Sequence, residues 1–185
     1  MLDLANLQKG WVSAGWPQGA RARILGVAGV KGSTLYLFGG CDLGSAHWDR
    51  REYLTDCWAL DTTTGKWTRL ADQPREAAAS PSPAALGADG SFTILGGVSR
   101  PFVERMRTDR PATNGAGHEH PGFENFTLRY DPAANSWTVG AGLPFGEGQS
   151  MPVTTPAVPV AGGSIVPSGE GKPGIRTRQV FCVRF

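Results

Sequence analysis

The chain has 185 residues and carries a net charge of +2, from 18 basic and 16 acidic side chains. Its 26 glycines and 14 prolines exceed one residue in five, against ~12% for the pair in average proteins. That density of turn formers excludes a helical bundle, a coiled coil or collagen, whose G-X-Y period is absent. A 40% hydrophobic content excludes general disorder, and the weak charge implies neither nucleic acid nor an anionic membrane as partner.

The N-terminus, Met1-Leu2-Asp3-Leu4, lacks the basic and apolar regions of a signal peptide. No apolar run approaches the ~20 residues of a membrane span. A cytosolic chain is the expectation. Leu2-Asp3-Leu4 reads as the end of one strand and Gln8-Lys9-Gly10-Trp11-Val12 as the next. Leu35-Tyr36-Leu37-Phe38 is a β-rich run ending in Gly39-Gly40, after a turn at Lys31-Gly32-Ser33. Cys57-Trp58-Ala59-Leu60-Asp61 follows, and Trp67 stands six residues after the aspartate.

The same order then returns. Asp89-Gly90-Ser91 is a turn, Thr93-Ile94-Leu95 a strand ending in Gly96-Gly97, and Thr127-Leu128-Arg129-Tyr130-Asp131 a strand with Trp137 six residues beyond it. A third round opens at Gly162-Gly163-Ser164 and Ile165-Val166-Pro167-Ser168, with Gly169-Glu170 in the place expected for the glycine pair. Val180 to Phe185 is its third strand, and no fourth follows.

Each round is a four-strand unit, so internal repetition governs the fold. The pattern resembles kelch repeats, whose unit of ~50 residues is one blade of an all-β propeller. The resemblance implies a neighbouring blade's orphan strand in residues 1–20, blades at 21–70 and 76–140, and an incomplete blade at 150–185. Closed propellers use ~4–8 blades. Three blades therefore imply half of a six-bladed ring, or a half that pairs with a second copy. From Gly40 to Trp67 is 27 residues; from Glu170 to Trp11 of a following copy is 26. A homodimer completing six blades is the corresponding expectation.

In a propeller, the loops after second strands share one face with the linkers between blades. Here those segments are 40–55, 98–125 and 170–178, with linkers 14–23, 71–82 and 144–152. Arg100 to Arg110 reads as a solvated charged loop. Arg23 and Arg75 read as equivalent linker residues that either ring the mouth and bind an anion or brace the blades. His118-Glu119-His120 offers two imidazoles without a third ligand, so no metal is assigned; His118 and His120 are candidates for the substrate pocket. His47-Trp48 can wall a sugar face. No GxSxG elbow or GxxxxGK[ST] phosphate loop occurs, which disfavours serine hydrolysis and nucleotide chemistry. Cys41, Cys57 and Cys182 make an odd count without CxxC, giving neither a disulfide framework nor a zinc site.

Glu170 is the residue with most to explain, a charge where the repeat calls for glycine. Its surroundings, Ser168-Gly169-Glu170-Gly171-Lys172-Pro173-Gly174-Ile175-Arg176-Thr177, resemble the GE-x-KPG-[LI]-RT segment of the N-acetylneuraminate epimerases, or sialic acid mutarotases, which are six-bladed kelch propellers. The resemblance implies Glu170 and Arg176 as catalytic residues. It implies a sugar acid as substrate, interconversion of its anomers by ring opening, and no metal or organic cofactor. Glu170 would be the base, best served by partial burial; Arg176 would hold the sugar carboxylate. The family's remaining blades have no counterpart here. The alternative reading is a non-catalytic kelch module that binds a protein or glycan through the same face.

Overall fold

A computed structural model describes residues 1–44, 51–109 and 120–184. Among them, three antiparallel sheets follow one another along the chain. The first has the order β1-β2-β3-β4, from β1 (Val27–Lys31), β2 (Thr34–Asp42), β3 (Glu52–Asp61) and β4 (Trp67–Leu70). The second has the order β5-β6-β7-β8, from β5 (Ala85–Leu86), β6 (Phe92–Gly97), β7 (Glu124–Asp131) and β8 (Ser136–Val139). The third holds β9 (Val158–Val160), β10 (Gly163–Lys172) and β11 (Ile175–Arg184), in the order β11-β10-β9.

The aspartate-to-tryptophan spacing has a local cause. Asp61 accepts the N–H groups of Thr63 and Thr64 at 2.8 and 3.3 Å, and Asp131 those of Ala133 and Ala134 at 2.8 and 3.4 Å. Each carboxylate closes a turn on itself, and the chain returns with a tryptophan opposite the residue before the aspartate: Leu60 faces Trp67 and Tyr130 faces Trp137. The glycine pair is equally physical. Gly40 has φ +101, and a Cβ there would lie 2.7 Å from the Ile24 carbonyl oxygen. Only glycine fits so close an approach to the linker.

The sheets pack face to face. Phe38, Cys57, Phe92, Ile94, Leu128 and Tyr130 form the buried core between the first two, with the Phe38 and Trp137 rings 5.3 Å apart, edge to face. Leu95, Met151, Ala157 and Val166 form the smaller core between the second and third. At the hub, the same bridge recurs in each sheet: Ile24 pairs with Cys41, Ala78 with Val98, and Val153 with Glu170.

That recurrence corrects three expectations. Glu170 does not occupy the second glycine's place. Positive φ falls on Gly39 and Gly40, on Gly96 and Gly97, and on Ser168 and Gly169. Ser168 therefore takes the first glycine's role, and Glu170 is the next residue, equivalent to Cys41 and Val98. Likewise Arg23 and Arg75 are not equivalent. Counting from the bridges, Arg23 matches Ala77, and Arg75 matches Arg21. Finally, residues 170–178 are not a loop. The two long strands β10 and β11 run through them, turning only at Pro173-Gly174.

Arg100 to Asp109 is also not a loop but a helix, α1 (Arg100–Asp109). Ser99 Oγ accepts the Phe102 N–H at 3.3 Å, and Glu76 Oε2 accepts the Arg100 N–H at 2.5 Å. A capping hydroxyl and an anion at its start, with Phe102 buried beneath it, outweigh the charged composition. The N-terminal segment pairs Leu2 with Trp11 across a short 3-10 turn at Leu7–Lys9. Among the described residues, no helix is long and apolar enough to cross a membrane.

Candidate functional site

Glu170 and Arg176 are direct cross-strand partners in the β10–β11 hairpin. Irregular register on both sides of Glu170, between Pro167 and Gly169 and between Glu170 and Lys172, re-aims the strand there. Ser168 anchors the first irregularity by donating its hydroxyl to the Thr177 carbonyl at 2.7 Å. Glu170 is half-buried and its carboxylate is held at both ends. Oε1 accepts the Gly174 N–H of the hairpin turn at 2.6 Å, and Oε2 accepts the Thr154 hydroxyl at 3.2 Å. Among the described residues, no ion pair joins Glu170 to Arg176.

Arg176 is exposed and lines a cavity of about 220 Å³ with Gln149, Ser150, Lys172, Thr177 and Gln179. Glu170 does not line it. Gly148 and Gln149 separate this cavity from a second of about 480 Å³, whose walls include Arg75, Phe102, Arg105, Phe123 and Glu124. The two form one continuous depression with cationic groups at both ends. A carboxylate-bearing ligand is the chemistry that suits it.

The other candidates divide. Arg75 belongs to this depression. Its guanidinium donates to Glu124 Oε1 at 2.5 Å and lies 3.9 Å from the Phe126 ring centre, so packing fixes its position. Arg23 does not. Its side chain is 2% exposed and donates to both Asp56 carboxylate oxygens and to the Gly39 and Asp56 carbonyls. It is a brace inside the first sheet. Burial pushes the Asp56 carboxyl up, but hydrogen bonds from Arg23 and Trp58 and the charge of Arg69 outweigh it and hold the group below 3.8. His120 sits by α1, its Nδ1 accepting the Gly122 N–H at 3.1 Å and its ring 5.6 Å from that of Phe102. It is not in the Glu170 hairpin. His118, Glu119, His47 and Trp48 lie outside the described residues. Among the described residues, no three histidine, cysteine or acidic groups are placed to hold a metal.

Sequence reasoning missed Thr154, which binds Glu170, and Gln149 and Arg105, which shape the depression. Thr154 carries no local signal, since its contact with Glu170 comes from the hub bridge 16 residues away. Gly169 to Gly174 also spells G-x-G-x-x-G. It lies across a hairpin with no following helix, so it offers no helix N-terminus for a pyrophosphate.

Residues 23–74 match the Kelch motif. Over 88% of its length the chain superposes on 49% of the solved structure of YjhT, with a TM-score of 0.63 at 21% identity. The chain is a partial kelch β-propeller. Among characterised sequences it is similar to the N-acetylneuraminate epimerase of Yersinia enterocolitica serotype O:8 / biotype 1B, at 29% identity over 97% of this chain and 48% of that protein. It is also similar to the protein of that name from Brucella melitensis biotype 1, at 26% identity over 100% of this chain and 50% of that one. The propeller segment thus spans about half the length of the curated relatives it matches.

Proposed function

We propose that this propeller segment supplies part of a sugar-acid mutarotase site, with N-acetylneuraminate or a related sugar acid as substrate. The observation that carries the reading is the pairing of Glu170 with Arg176 across one hairpin, at the edge of a cationic depression. The similarity to proteins named N-acetylneuraminate epimerase supports it.

The chemistry follows from those groups. Glu170 takes the proton of the anomeric hydroxyl while an acid protonates the ring oxygen. The C–O bond of the ring breaks, the anomeric carbon becomes a carbonyl, and that carbonyl rotates. Closure on the opposite face returns both protons. Arg176 binds the sugar carboxylate through its forked N–H groups, and Arg75 with Arg105 supports the far end of the ligand. Anomer exchange followed by NMR line broadening tests the reading. Catalysed exchange that is lost in Glu170→Gln, with sugar binding retained, supports it; undiminished exchange in that variant overturns the base assignment.

One observation favours a second reading. Both Glu170 oxygens already serve the hairpin, through Gly174 and Thr154. In a non-catalytic kelch module that role is sufficient, and Glu170→Gln then changes hairpin stability but no turnover.

A further inference from the structure

The three sheets are joined at the hub by a backbone relay. Ala79 N–H donates to the Leu25 carbonyl and Thr154 N–H to the Ala79 carbonyl, each at 2.9 Å. Leu25, Ala79 and Thr154 all have positive φ, at 58°, 61° and 50°. Three non-glycine residues hold this costly conformation because it links each sheet to the next. The relay stops at both ends. Among the described residues, nothing donates to the Thr154 carbonyl and nothing accepts from the Leu25 N–H.

Two further groups mark the same gap. Trp137 donates its indole N–H to the Ala71 carbonyl of the preceding sheet at 2.9 Å. Trp67 is the equivalent residue of the first sheet, and its indole nitrogen is buried without a partner. A buried donor in that state costs ~1–3 kcal/mol, so the first sheet is built to receive a carbonyl from a sheet before it. At the other end, β11 is an edge strand with Val180 65% exposed.

The N-terminal segment has the missing strand's pattern. Trp11 pairs with Leu2 just as Trp67 pairs with Leu60 and Trp137 with Tyr130. Yet Trp11 is 80% exposed, with no sheet behind it. Leu2 here stands in for a full third strand. In the third sheet that place belongs to Val183, by the register of β10 with β11 and of β2 with β3.

We propose that two copies of this chain close head to tail into one ring, residues 8–12 of each adding the fourth strand to the other copy's β11. Trp11 exchanges Leu2 for Val183, the Thr154 carbonyl of one copy receives the Leu25 N–H of the other, and the segment after Trp11 brings a carbonyl to Trp67. The relatives, about twice as long as this chain, suit a ring of two such lengths. The inference does not rest on the proposed activity.

Light scattering on the 185-residue chain tests it. The expected result is one species of twice 19.6 kDa that Trp11→Glu converts to a monomer with unchanged circular dichroism. Placing a thiol by Val12→Cys brings it opposite Cys182 of the second copy, because β4 pairs Thr68 with Ala59 at the same register. A short thiol cross-linker then gives a covalent dimer. A monomer, a dimer indifferent to Trp11→Glu, or open oligomers that grow with concentration would each overturn the proposal.

Discussion

The Arg23 guanidinium meets both oxygens of the Asp56 carboxylate, at 2.9 and 2.6 Å, with Arg23 2% and Asp56 19% exposed. The same guanidinium also donates to the Gly39 and Asp56 carbonyls, so it ties the glycine pair of β2 to β3. Breaking such a buried pair from one side costs ~3–5 kcal/mol, because the other charge is left unpaired. Asp56→Asn is expected to lose that much in a urea melt, and Arg23→Lys a substantial part, since lysine lacks the fork. If Arg23 were instead a ligand-binding residue, Arg23→Lys would weaken sugar binding and leave stability intact.

The same pair sets an acid limit. Asp56 titrates below its ordinary 3.8 when folded. A depressed carboxyl contributes stability that is complete above the unfolded value and fades as pH falls through the folded one. Thermal melts of the unaltered chain are therefore expected to be flat in this contribution from pH 7 to about 5 and to drop below about 4. The Asp56→Asn chain, already destabilised, should show a smaller drop over that acid range.

Thr154 joins the site to the hub. Its N–H holds the relay to Ala79 and its hydroxyl holds Glu170. Thr154→Val keeps the shape and the N–H and removes only the hydroxyl. The stability loss is expected near 1 kcal/mol, the worth of one hydrogen bond. On the proposed mutarotase reading, kcat for anomer exchange falls several-fold with KM little changed, because Glu170 loses a positioning contact. A change in KM alone would place Thr154 in substrate binding instead.

What could be read in advance depended on whether the cause was local. Asp61 and Asp131 fold their own turns, so the six-residue step to tryptophan was visible in the letters. The glycine pairs were visible for the same reason. The third pair misled, because Ser168 adopts the glycine conformation at φ 61° and shifts Glu170 by one position. Arg23 and Arg75 look alike in sequence, yet the hub bridges set them two residues out of step, one in a sheet interior and one in the depression. Helix α1 carried a readable start, Ser99 followed by Pro101, but its second anchor, Glu76, lies 24 residues upstream. The hairpin geometry that brings Arg176 beside Glu170 is set by the β10–β11 register and had no local signature.

Thiol chemistry should separate the cysteines. Burial pushes the Cys57 thiol up to about 12 and raises Cys41 as well, so neither supplies thiolate near neutrality. Cys182 is exposed on β11. Mass spectrometry after brief alkylation of the folded chain is expected to find one adduct, on Cys182, and three after unfolding in urea. In the two-copy ring the added strand covers β11. Cys182 should then react more slowly in the unaltered chain than in Trp11→Glu, an effect that a monomer would not show.

Two glycine substitutions test the corrected register of the third sheet. Gly169 has φ +127, and a Cβ there would lie 2.8 Å from both the Pro152 and Thr155 Cβ atoms. Alanine must strain the backbone and overfill the contact with the linker, so Gly169→Ala is expected to cost about 3 kcal/mol. Gly162 has φ +71 with nothing within 4 Å of a Cβ. Gly162→Ala meets only the left-handed backbone penalty, about 1 kcal/mol. Had Glu170 held the second glycine's place, position 169 would be the first of the pair. Gly169→Ala would then match the Ser168 backbone, tolerant of a side chain, and cost no more than Gly162→Ala. A larger loss at Gly169 in parallel urea melts keeps Glu170 one residue beyond the pair, equivalent to Cys41 and Val98 and facing Val153 across the hub.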